Sequence, residues 1–484
     1  MAEQSFTRRE WLAGAALPAV AASPKKPNIL FIMPDQLRAQ SVGFMGNEDV
    51  RTPHLDRLAR EGLLLRNTLA NTPVCCPARA NILTGSYTHK NGMTANDLRL
   101  RENLPGLAKS LRAAGYRTGF IGKWHLDGGP RLPGYVPPGP RRHGYEFWAA
   151  NECSHTHFKT QYFRDAPEPI PIRKFEVEAW TDIGIEFLRE SKKDGRPFYL
   201  TIQPGPPHDP YKAPPEYSKL YEPSKLKMRP NWKGGPGIPG PAEIAEYYGM
   251  ITAIDDQVGR ILRVLDELGM REDTIVLFAS DHGDMLGSQG RRLKRKPWEE
   301  SIRVPGIIRY PRAVKGGRVV DFPFTHVDFA PTLLSLCGVP APREMQGTDL
   351  SNAITGRGGK TPESAFFQIF GPYQGDGTED GWRGVRTSRY MYARFEHKPW
   401  VLYDLEKDPY QMRNLVDEPS ARALREELDK QLREWMSRTG DSWKYNWKAL
   451  VEDKGRLYNH RAFYSVDEYL EWIKQNPDKE PQED

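Results

Sequence analysis

Four continuous apolar segments, each followed by polar residues, constrain the fold of this chain most strongly. They cover residues 28–33, 116–121, 198–202 and 274–280. Short apolar runs of this kind, separated by helical segments, are typical of parallel strands that are buried on both faces. We therefore predict an α/β fold with a large mixed, mainly parallel sheet that is covered by helices on both faces.

Helical segments and long loops separate these strands. Helices are predicted over residues 52–62, 104–114 and 243–268, and in the last of these apolar positions recur at helical spacing. Two stretches rich in proline and glycine, residues 128–144 and 204–241, are predicted to be loops. Loops of this length are uncommon unless they carry function, so we expect them to form walls of a ligand cleft.

Polar side chains at the ends of two of these strands indicate a ligand site. Asp35 follows the first strand, and Asp281 and His282 follow the fourth. Open α/β sheets bind ligands at the carboxyl ends of their strands, so these side chains should converge at one edge. Their oxygen and nitrogen atoms are the ligands that divalent cations take in proteins. The alternatives are a turn-capping role for Asp35 and a solvated turn at Asp281.

A further feature is the run from Cys75 to Arg79, which reads Cys-Cys-Pro-Ala-Arg. Pro77 suits the first turn of a helix and Gly85 its end, which places Cys75 just before a helix N-terminus. Unpaired backbone N–H groups there favour an anion, although the helix dipole contributes only about 0.3–1 kcal/mol. The helix dipole is too weak to drive a reaction, so an active site at this position also needs fully charged groups. The alternative is that Cys75 is a small buried residue without chemical function.

Basic side chains in loops after strands can supply those charges. Lys123 and His125 follow the second strand, and His208 follows the third. Lys294 lies further along the chain, with Lys296 as the alternative for the same role. Histidine exchanges protons near neutral pH, and lysine holds developing negative charge. Loss of one such preorganised donor typically costs about 2.7–4 kcal/mol, far more than the helix dipole supplies.

Together these motifs resemble the signature of the type I, formylglycine-dependent sulfatases of the alkaline-phosphatase-like superfamily. The similar segments are the Cys-x-Pro-x-Arg run with its Leu-Thr-Gly tail, the Gly-Lys-Trp-His motif that ends at His125, and the Asp-His-Gly motif that begins at Asp281. The resemblance extends from about residue 28 to residue 436. It implies that a formylglycine-generating maturation enzyme converts Cys75 to an aldehyde, whose hydrate attacks a sulfate ester.

The resemblance also implies which residues form the site. The residues that would hold one divalent cation are Asp35, Gln36, Cys75, Asp281 and His282. Calcium is the first candidate for this cation, with Mn²⁺ or Mg²⁺ as alternatives. The residues that would act on the substrate are Cys75, Arg79, Lys123, His125, His208 and Lys294. The family usually has paired aspartates after the first strand, so the Asp35-Gln36 pair leaves the site one negative charge short.

The implied function is hydrolysis of sulfate monoesters on a sulfated carbohydrate or another sulfated small molecule. Arg79 and the cation would polarise the attacking hydroxyl, and Lys123 would hold it. His208 or Lys294 would assist the departing alcohol, and His125 would take a proton from the second hydroxyl. The alternatives with the same site are a phosphonate monoester or phosphodiester hydrolase and a choline sulfatase. An alternative of another class is an inactive protein that binds sulfated glycans and keeps Cys75 as a thiol.

The pattern of predicted strands and helices changes towards the C-terminus. We predict a catalytic domain over residues 27–360, a small α+β domain with an antiparallel sheet over residues 361–475, and a disordered tail over residues 476–484. The strands of the small domain are predicted at residues 365–370, 384–387, 390–395 and 401–404, and its helix at residues 420–437. This arrangement is similar to that of the C-terminal domain of sulfatases.

The N-terminal residues predict export. Residues 1–22 combine Arg8 and Arg9 with a short run of small apolar residues, which is typical of a twin-arginine signal peptide. The run is too short to span a membrane, so we expect a periplasmic or exported protein without stable membrane insertion. The alternative is an amphipathic terminus that stays attached.

Cysteine number and charge argue against two other classes of protein, those stabilised by a disulfide framework and those that bind nucleic acid. Conversion of Cys75 would leave three of the four cysteines, an odd number, so a disulfide framework is not expected. The basic cluster at residues 291–296 follows the Asp-His-Gly motif and lacks a DNA or RNA module, which favours a small anionic group over nucleic acid. Cys153, His155 and His157 lie in one short segment, and we interpret them as substrate-pocket or loop residues.

Overall fold

The computed structural model of the protein describes residues 26–96, 98–128, 133–370 and 381–443. The predicted signal peptide and the predicted C-terminal tail lie outside the described residues, and the predicted small domain is described as far as residue 443. The strands are β1 (Asn28–Ile32), β2 (Leu63–Leu65), β3 (Thr68–Leu69), β4 (Arg117–Lys123), β5 (Phe147–Asn151), β6 (Thr160–Tyr162), β7 (Ile170–Ile172), β8 (Phe198–Gln203), β9 (Thr274–Ala279), β10 (Arg303–Val304), β11 (Gly306–Arg309), β12 (Arg318–Val320), β13 (Phe324–Thr325), β14 (Ser364–Gln368), β15 (Trp382–Thr387), β16 (Tyr390–Phe395) and β17 (Pro399–Asp404). The α-helices are α1 (Pro53–Glu61), α2 (Cys75–Thr84), α3 (Thr88–Asn91), α4 (Leu107–Ala113), α5 (Glu176–Asp194), α6 (Pro215–Ser218), α7 (Pro241–Glu267), α8 (Glu299–Ile302), α9 (His326–Leu336), α10 (Ser351–Thr355) and α11 (Arg422–Thr439).

The main sheet has eight strands in the order β12-β2-β11-β9-β1-β8-β4-β5. Neighbours from β9 to β5 run parallel, whereas β11 is antiparallel to both β9 and β2. Every residue of β1, β8 and β9 is buried, as expected for strands that are covered on both faces. The prediction of a large mixed, mainly parallel sheet is confirmed, and the four predicted strands end within two residues of the observed ones.

Helices cover both faces of this sheet. Leu30 and Ile32 of β1 belong to a core that includes side chains of α1, α5 and α7. Ile29 and Phe31 belong to the opposite core, which includes side chains of α2, α4 and α9. Alternate side chains of a strand point to opposite faces, so the continuous apolar run in β1 fills both cores.

One helix starts later than its sequence predicts. The helix predicted from residue 104 begins at Leu107, and Gly106 before it is extended, with φ of −163°. Pro105 lacks a backbone N–H and Gly106 is a poor helix former, so the first turn cannot include them. The predicted helices at 52–62 and 243–268 are α1 and α7, displaced by at most two residues at either end.

The second sheet is antiparallel, with the strand order β14-β15-β16-β17. One of its faces packs on α11 through Leu428 and Leu432. The other face packs on the main body, where Val74 and Trp298 belong to the same core as Phe367 of β14. The second sheet therefore lies behind the start of α2, next to the predicted site. No helix in the described part of the chain is long and apolar enough to cross a membrane.

Candidate active site

The carboxyl edge of the main sheet brings the predicted polar residues together. Asp35 lies just beyond β1, Lys123 is the last residue of β4, and Asp281 and His282 follow β9. These strands run parallel within one sheet, so their carboxyl ends meet at the same edge. The sequence reasoning from strand ends therefore placed these four side chains in the same region.

Cys75 is the first residue of α2 and is 1% exposed. The helix ends at Gly85, whose φ of 63° suits a glycine at that position. Burial raises the pKa of the Cys75 thiol, but the charges of Lys294, Lys123 and His282 outweigh burial and hold this pKa well below its usual value. The surroundings of position 75 therefore favour a negatively charged atom.

Three buried side chains converge on Cys75. The potential ligand atoms of Asp35, Cys75, Asp281 and His282 all lie within 4.8 Å of one another. Cys75 Sγ lies 3.1 Å from His282 Nε2 and 3.9 Å from Asp35 Oδ1. Two carboxylates, one imidazole and the group at position 75 form a donor set that fits a divalent cation.

The orientation of His282 also fits a metal ligand. Its Nδ1 lies 3.0 Å from the carbonyl oxygen of Gly283, to which Nδ1–H can donate. In the neutral ring that makes this hydrogen bond the lone pair is on Nε2, which is the atom that faces Asp35 at 3.5 Å and Asp281 at 3.7 Å. Metal-binding histidines commonly have their second nitrogen fixed in this way.

Arg79 lies behind the two carboxylates. One of its terminal nitrogens donates to Asp35 Oδ2 and Asp281 Oδ2, each at 3.0 Å, and the other donates to the carbonyl oxygen of Lys123 at 2.8 Å and to Gln203. The guanidinium thus links the ends of β1, β4, β8 and β9. It both neutralises charge and fixes the geometry of the two acids.

The two acids differ in their electrostatic surroundings. Burial raises the pKa of Asp35, but Lys123, whose Nζ lies 2.8 Å from Asp35 Oδ2, acts with His208 and Arg79 to hold the pKa of Asp35 far below its usual value. Burial and the neighbouring Asp35 raise the pKa of Asp281. Two carboxylates that compete in this way are stabilised by a bound cation.

Gln36 turns its side chain towards a different set of partners. Its Oε1 accepts a hydrogen bond from Lys294 Nζ at 2.7 Å, and its Nε2 donates to Asp284 Oδ2 at 2.6 Å. Its backbone N–H donates to Asp281 Oδ1 at 3.0 Å. In this arrangement Gln36 orients Lys294 and Asp281, and the oxygen predicted to bind the cation is used by Lys294.

Lys294 and His208 form a pair beside Gln36. Lys294 Nζ lies 3.0 Å from His208 Nε2. His208 Nδ1 lies 2.7 Å from the carbonyl oxygen of Asp209, to which Nδ1–H can donate, and in the neutral ring Nε2 can accept from the Lys294 ammonium group. The structure brings Lys294 to the site, whereas Lys296 lines a cavity next to the second sheet.

His125 lies between two thiols. Its side chain interacts with Cys75 and also with Cys153, and its φ is 54°. Its backbone N–H donates to the carbonyl oxygen of Glu152 at 2.7 Å, which anchors this unusual backbone conformation. An imidazole in this position can take a proton from a hydroxyl group at position 75.

The residues around His208 were only partly anticipated. His155 stacks on His208 with ring centroids 4.6 Å apart and an angle of 5° between the ring planes. His157 Nε2 lies 2.8 Å from the carbonyl oxygen of His208, and His157 Nδ1 lies 3.0 Å from Glu176 Oε1. The segment interpreted as pocket or loop thus packs directly against the site. Glu176 carried no sequence signal, because it is the first residue of an ordinary amphipathic helix.

Two more site residues follow strands and were missed. Gln203 ends β8 and contacts Arg79, while Asp284 lies a few residues past β9 and contacts Gln36 and the Tyr211 hydroxyl group. The rule that located Asp35, that polar residues at the carboxyl ends of parallel strands converge, would have found both.

Comparison with known proteins agrees with this geometry. The chain matches the family model described as Sulfatase over residues 27–339, and the model described as N-sulphoglucosamine sulphohydrolase, C-terminal, over residues 287–438. It is 38% identical over 426 residues to an ulvan-active sulfatase of Formosa agariphila, with 87% of this chain and 83% of that protein covered.

Two further matches span nearly the same part of the chain. The chain is 26% identical over 506 residues to an N-acetylglucosamine-6-O-sulfatase of Bacteroides thetaiotaomicron, with 86% of this chain and 88% of that protein covered. The crystal structure of yidJ from Bacteroides fragilis matches with a TM-score of 0.80 at 30% identity, with coverage of 88% and 98%. The chain therefore belongs to the sulfatase family, within the alkaline-phosphatase-like superfamily, and is a hydrolase of sulfate esters.

Proposed function

We propose that the protein removes sulfate from a sulfated carbohydrate, with a formylglycine at position 75 as its nucleophile. The observation that carries the proposal is the meeting of two groups of side chains at Cys75. Asp35, Asp281 and His282 surround it on one side. Lys123, Lys294 and His208 contribute positive charge and exchangeable protons on the other.

The proposed substrate class is supported by relatives. The Formosa agariphila protein is named as ulvan-active, and the Bacteroides thetaiotaomicron protein as acting on N-acetylglucosamine-6-O-sulfate groups. Both substrates are sulfated sugars. We extend this class, without choosing among sugars, to the present chain.

The cation and the formylglycine would supply the two kinds of chemistry that the unmodified side chains lack. Asp35, Asp281, His282 and the group at position 75 would hold the cation, which polarises oxygen atoms of the reacting groups. We propose Ca²⁺ as the first candidate, because two carboxylates dominate the donor set. A formylglycine hydrate supplies one hydroxyl that attacks sulfur and a second that allows sulfate to leave.

The side chains of the protein would position the ester and move protons. Lys123 and Lys294 hold negative oxygens of the sulfate group, and Arg79 keeps Asp35 and Asp281 in place. The Lys294 and His208 pair can give a proton to the departing alcohol oxygen. His125 would remove the proton of the second hydroxyl when sulfate is released, and its interaction with Cys75 supports this role.

We also propose that the protein is exported and matures before it acts. The arginine pair at Arg8 and Arg9 and the small apolar run that follows support twin-arginine export to the periplasm. Twin-arginine export carries folded proteins, so a formylglycine-generating enzyme would modify Cys75 before export.

A second candidate function is hydrolysis of phosphonate monoesters. Gln36 takes the place of an acid that the family usually has, so the site carries one negative charge fewer. Sulfate and phosphonate monoesters both carry one negative charge, so charge alone does not separate them. Rates on matched aryl sulfate and aryl phosphonate esters would separate them, and faster phosphonate cleavage would favour the second candidate.

The test combines mass analysis with substrate screening. We expect the peptide that carries Cys75 to show conversion of the thiol to an aldehyde, and the protein to release sulfate from defined sulfated sugars. Cys75→Ala should reduce turnover to the background rate. Cys76→Ala, which alters the neighbouring core thiol, should leave turnover measurable. An unmodified Cys75 in naturally matured protein would contradict the proposed mechanism.

A further inference from the structure

We propose that the protein has a second saccharide-binding site, which takes a sulfated or carboxylated sugar unit of the same polysaccharide. This inference rests on the proposed carbohydrate substrate. The site is a cavity of about 650 Å³ where the main body meets the second sheet. We call it the basic cavity and define it by Arg291, Lys296, Trp298, Lys398, Trp400 and Arg425.

The basic cavity has the size and composition of a ligand site. Its volume lies within the range of about 300–1,000 Å³ that is common for small-molecule sites. One wall comes from the segment after Asp281, and the other comes from β17, the end of β16 and the start of α11. It is therefore built by two parts of the fold that are far apart in sequence.

Charge in the basic cavity is mostly positive. Four cationic side chains line it, against the single carboxylate of Asp417. Neither Arg291 nor Lys398, both exposed, forms an ion pair with any residue that the structure describes. Arg425 donates to the carbonyl oxygen of Val416 at 2.7 Å, which holds its guanidinium at the wall. Arginine and lysine side chains without a carboxylate partner in the described part of the chain, such as Arg291 and Lys398, attract an anion, and a cleft concentrates their field.

Aromatic rings provide a second kind of contact. Phe395 and Trp400 stack with centroids 4.6 Å apart, and Trp298 lies at 5.8 Å from Trp400 in an edge arrangement. Phe395 and Trp400 are only partly buried, so part of their surface lines the cavity. Aromatic rings offer large rigid apolar surfaces, which suit the C–H faces of sugar rings. Cations beside aromatic rings therefore fit an acidic sugar better than an inorganic ion.

The basic cavity and the active site share a segment of chain. Lys294 points to His208 in the active site, and Lys296, two residues later, lines the basic cavity. Two residues span at most about 7 Å along the backbone. One polysaccharide chain can therefore contact both sites, with its sulfate ester at Cys75 and another acidic unit in the basic cavity.

The test measures saccharide binding apart from turnover. In the Cys75→Ala background, Arg291→Glu combined with Lys398→Glu reverses two exposed charges of the cavity. The control is Lys193→Glu combined with Lys315→Glu, which makes the same change in net charge. Lys193 precedes β8 and Lys315 follows the antiparallel β11, so both lie at the opposite edge of the main sheet. The probes are dextran sulfate, polygalacturonate, neutral dextran and single-stranded DNA.

We expect at least one acidic polymer to bind more tightly than neutral dextran, and the cavity variant to weaken that binding by about tenfold or more, which is 1.4 kcal/mol. The control should change the dissociation constant by less than about twofold. The acidic polymer that responds identifies sulfate or carboxylate as the recognised group. Equal weakening in both variants would overturn the proposal, because net charge alone would explain it. Tighter binding of single-stranded DNA through the same residues would also overturn it.

A turnover measurement keeps this proposal separate from the proposed function. With Cys75 intact, the cavity variant should hydrolyse a small aryl sulfate at the unchanged rate, while its KM for a sulfated oligosaccharide rises. Absence of aryl sulfate hydrolysis in the unmutated protein would count against the proposed function, and an unchanged oligosaccharide KM would count against the cavity.

Discussion

Two regions of the molecule bury charged side chains, and they use them differently. At the contact between the main body and the second sheet, Arg386 of β15 donates to both oxygens of Glu299, at 2.8 and 3.1 Å. The same guanidinium donates to Asn67 Oδ1 at 3.0 Å, and Arg303 lies 3.0 Å from Glu299 Oε2. Each oxygen of this carboxylate is therefore occupied by a neighbour.

At the sheet edge the charges are also compensated, but one carboxylate oxygen of Asp35 is not taken by an arginine or a lysine. Arg79 and Lys123 take Oδ2 of Asp35, whereas Asp35 Oδ1 faces His282 and Cys75. Asp281 shares Arg79 with Asp35 and has a raised pKa because of burial and that neighbouring acid. The comparison teaches that a carboxylate saturated by basic side chains stabilises the fold, whereas a carboxylate such as Asp35, which keeps one oxygen facing other potential ligands, can form part of a site.

The largest expected effect tests the saturated pair. Glu299→Gln would leave the buried Arg386 and the partly buried Arg303 with reduced compensation, and loss of one partner of a buried pair typically costs about 3–5 kcal/mol. We expect the free energy of unfolding, measured by chemical denaturation, to fall by that amount. The turnover of the folded fraction should remain close to that of the unmutated protein.

The control for this prediction is an exposed pair. Glu434→Gln removes a partner that lies 4.0 Å from Lys430 on the surface of α11, where an ion pair contributes about 0–1 kcal/mol. A stability loss for Glu299→Gln no larger than that of Glu434→Gln would show that the contact between the sheets does not depend on this pair.

The next effect tests the converging groups. Asp281→Asn should lower kcat/KM by about 10²–10³-fold, equivalent to about 2.7–4 kcal/mol, because it removes charge from the site of reaction. The free energy of unfolding should change less than in Glu299→Gln, since the amide relieves repulsion with Asp35. Kinetics, bound metal and unfolding would be measured on the same preparation.

Metal removal provides the matched comparison for Asp281→Asn. A chelator should reduce the unmutated protein to a similar residual rate, and added Ca²⁺ should restore it, whereas added Ca²⁺ should restore the variant far less. A variant that binds metal normally yet has lost activity would assign Asp281 to a role other than metal binding.

The smallest expected effect tests the buried pair of His157 and Glu176, which resembles Glu299 and Arg386 but also contacts the site through His208. Both ring nitrogens of His157 face acceptors, the Glu176 carboxylate and the His208 carbonyl, so both must carry a hydrogen for both bonds to form. His157→Leu removes both contacts, and displacement of His208 should lower kcat by about 10–10²-fold. Glu176→Gln lets the amide donate to His157, which can still donate to His208, so kcat should stay within about threefold.

These two variants also separate positioning from folding. If His157 acts through His208, His157→Leu should change the pH profile of kcat while KM for a small aryl sulfate changes little. Equal losses of kcat in His157→Leu and Glu176→Gln would show that the His157 contact to His208 has no part in catalysis.

The sequence predicted the parts of this molecule that depend on local pattern. Continuous apolar runs indicated β1 and β9, and strand ends located Asp35 and Asp281, because parallel strands share one carboxyl edge. The match to a known family motif at Cys75 then selected one chemistry from several. These inferences need no knowledge of distant contacts.

The remaining features depend on long-range packing and could not be read from the chain. Glu299 and Arg386 are 87 residues apart, and neither lies in a distinctive motif. The side chain of Gln36 was expected to face the cation, but its partners Lys294 and Asp284 lie about 250 residues away. The sequence likewise could not show whether Lys294 or Lys296 reaches the active site, because this depends on the conformation of the loop, in which Arg295 has a φ of 75°.

The burial of Cys75 sets an order of events for the life of the protein. As the first residue of α2, Cys75 lies against Asp35 and His282 at the sheet edge, with 1% of the residue exposed. A maturation enzyme of the kind proposed would have to reach a side chain that folding has already enclosed. Aldehyde formation would then compete with folding itself, and a molecule that folds first would remain permanently immature.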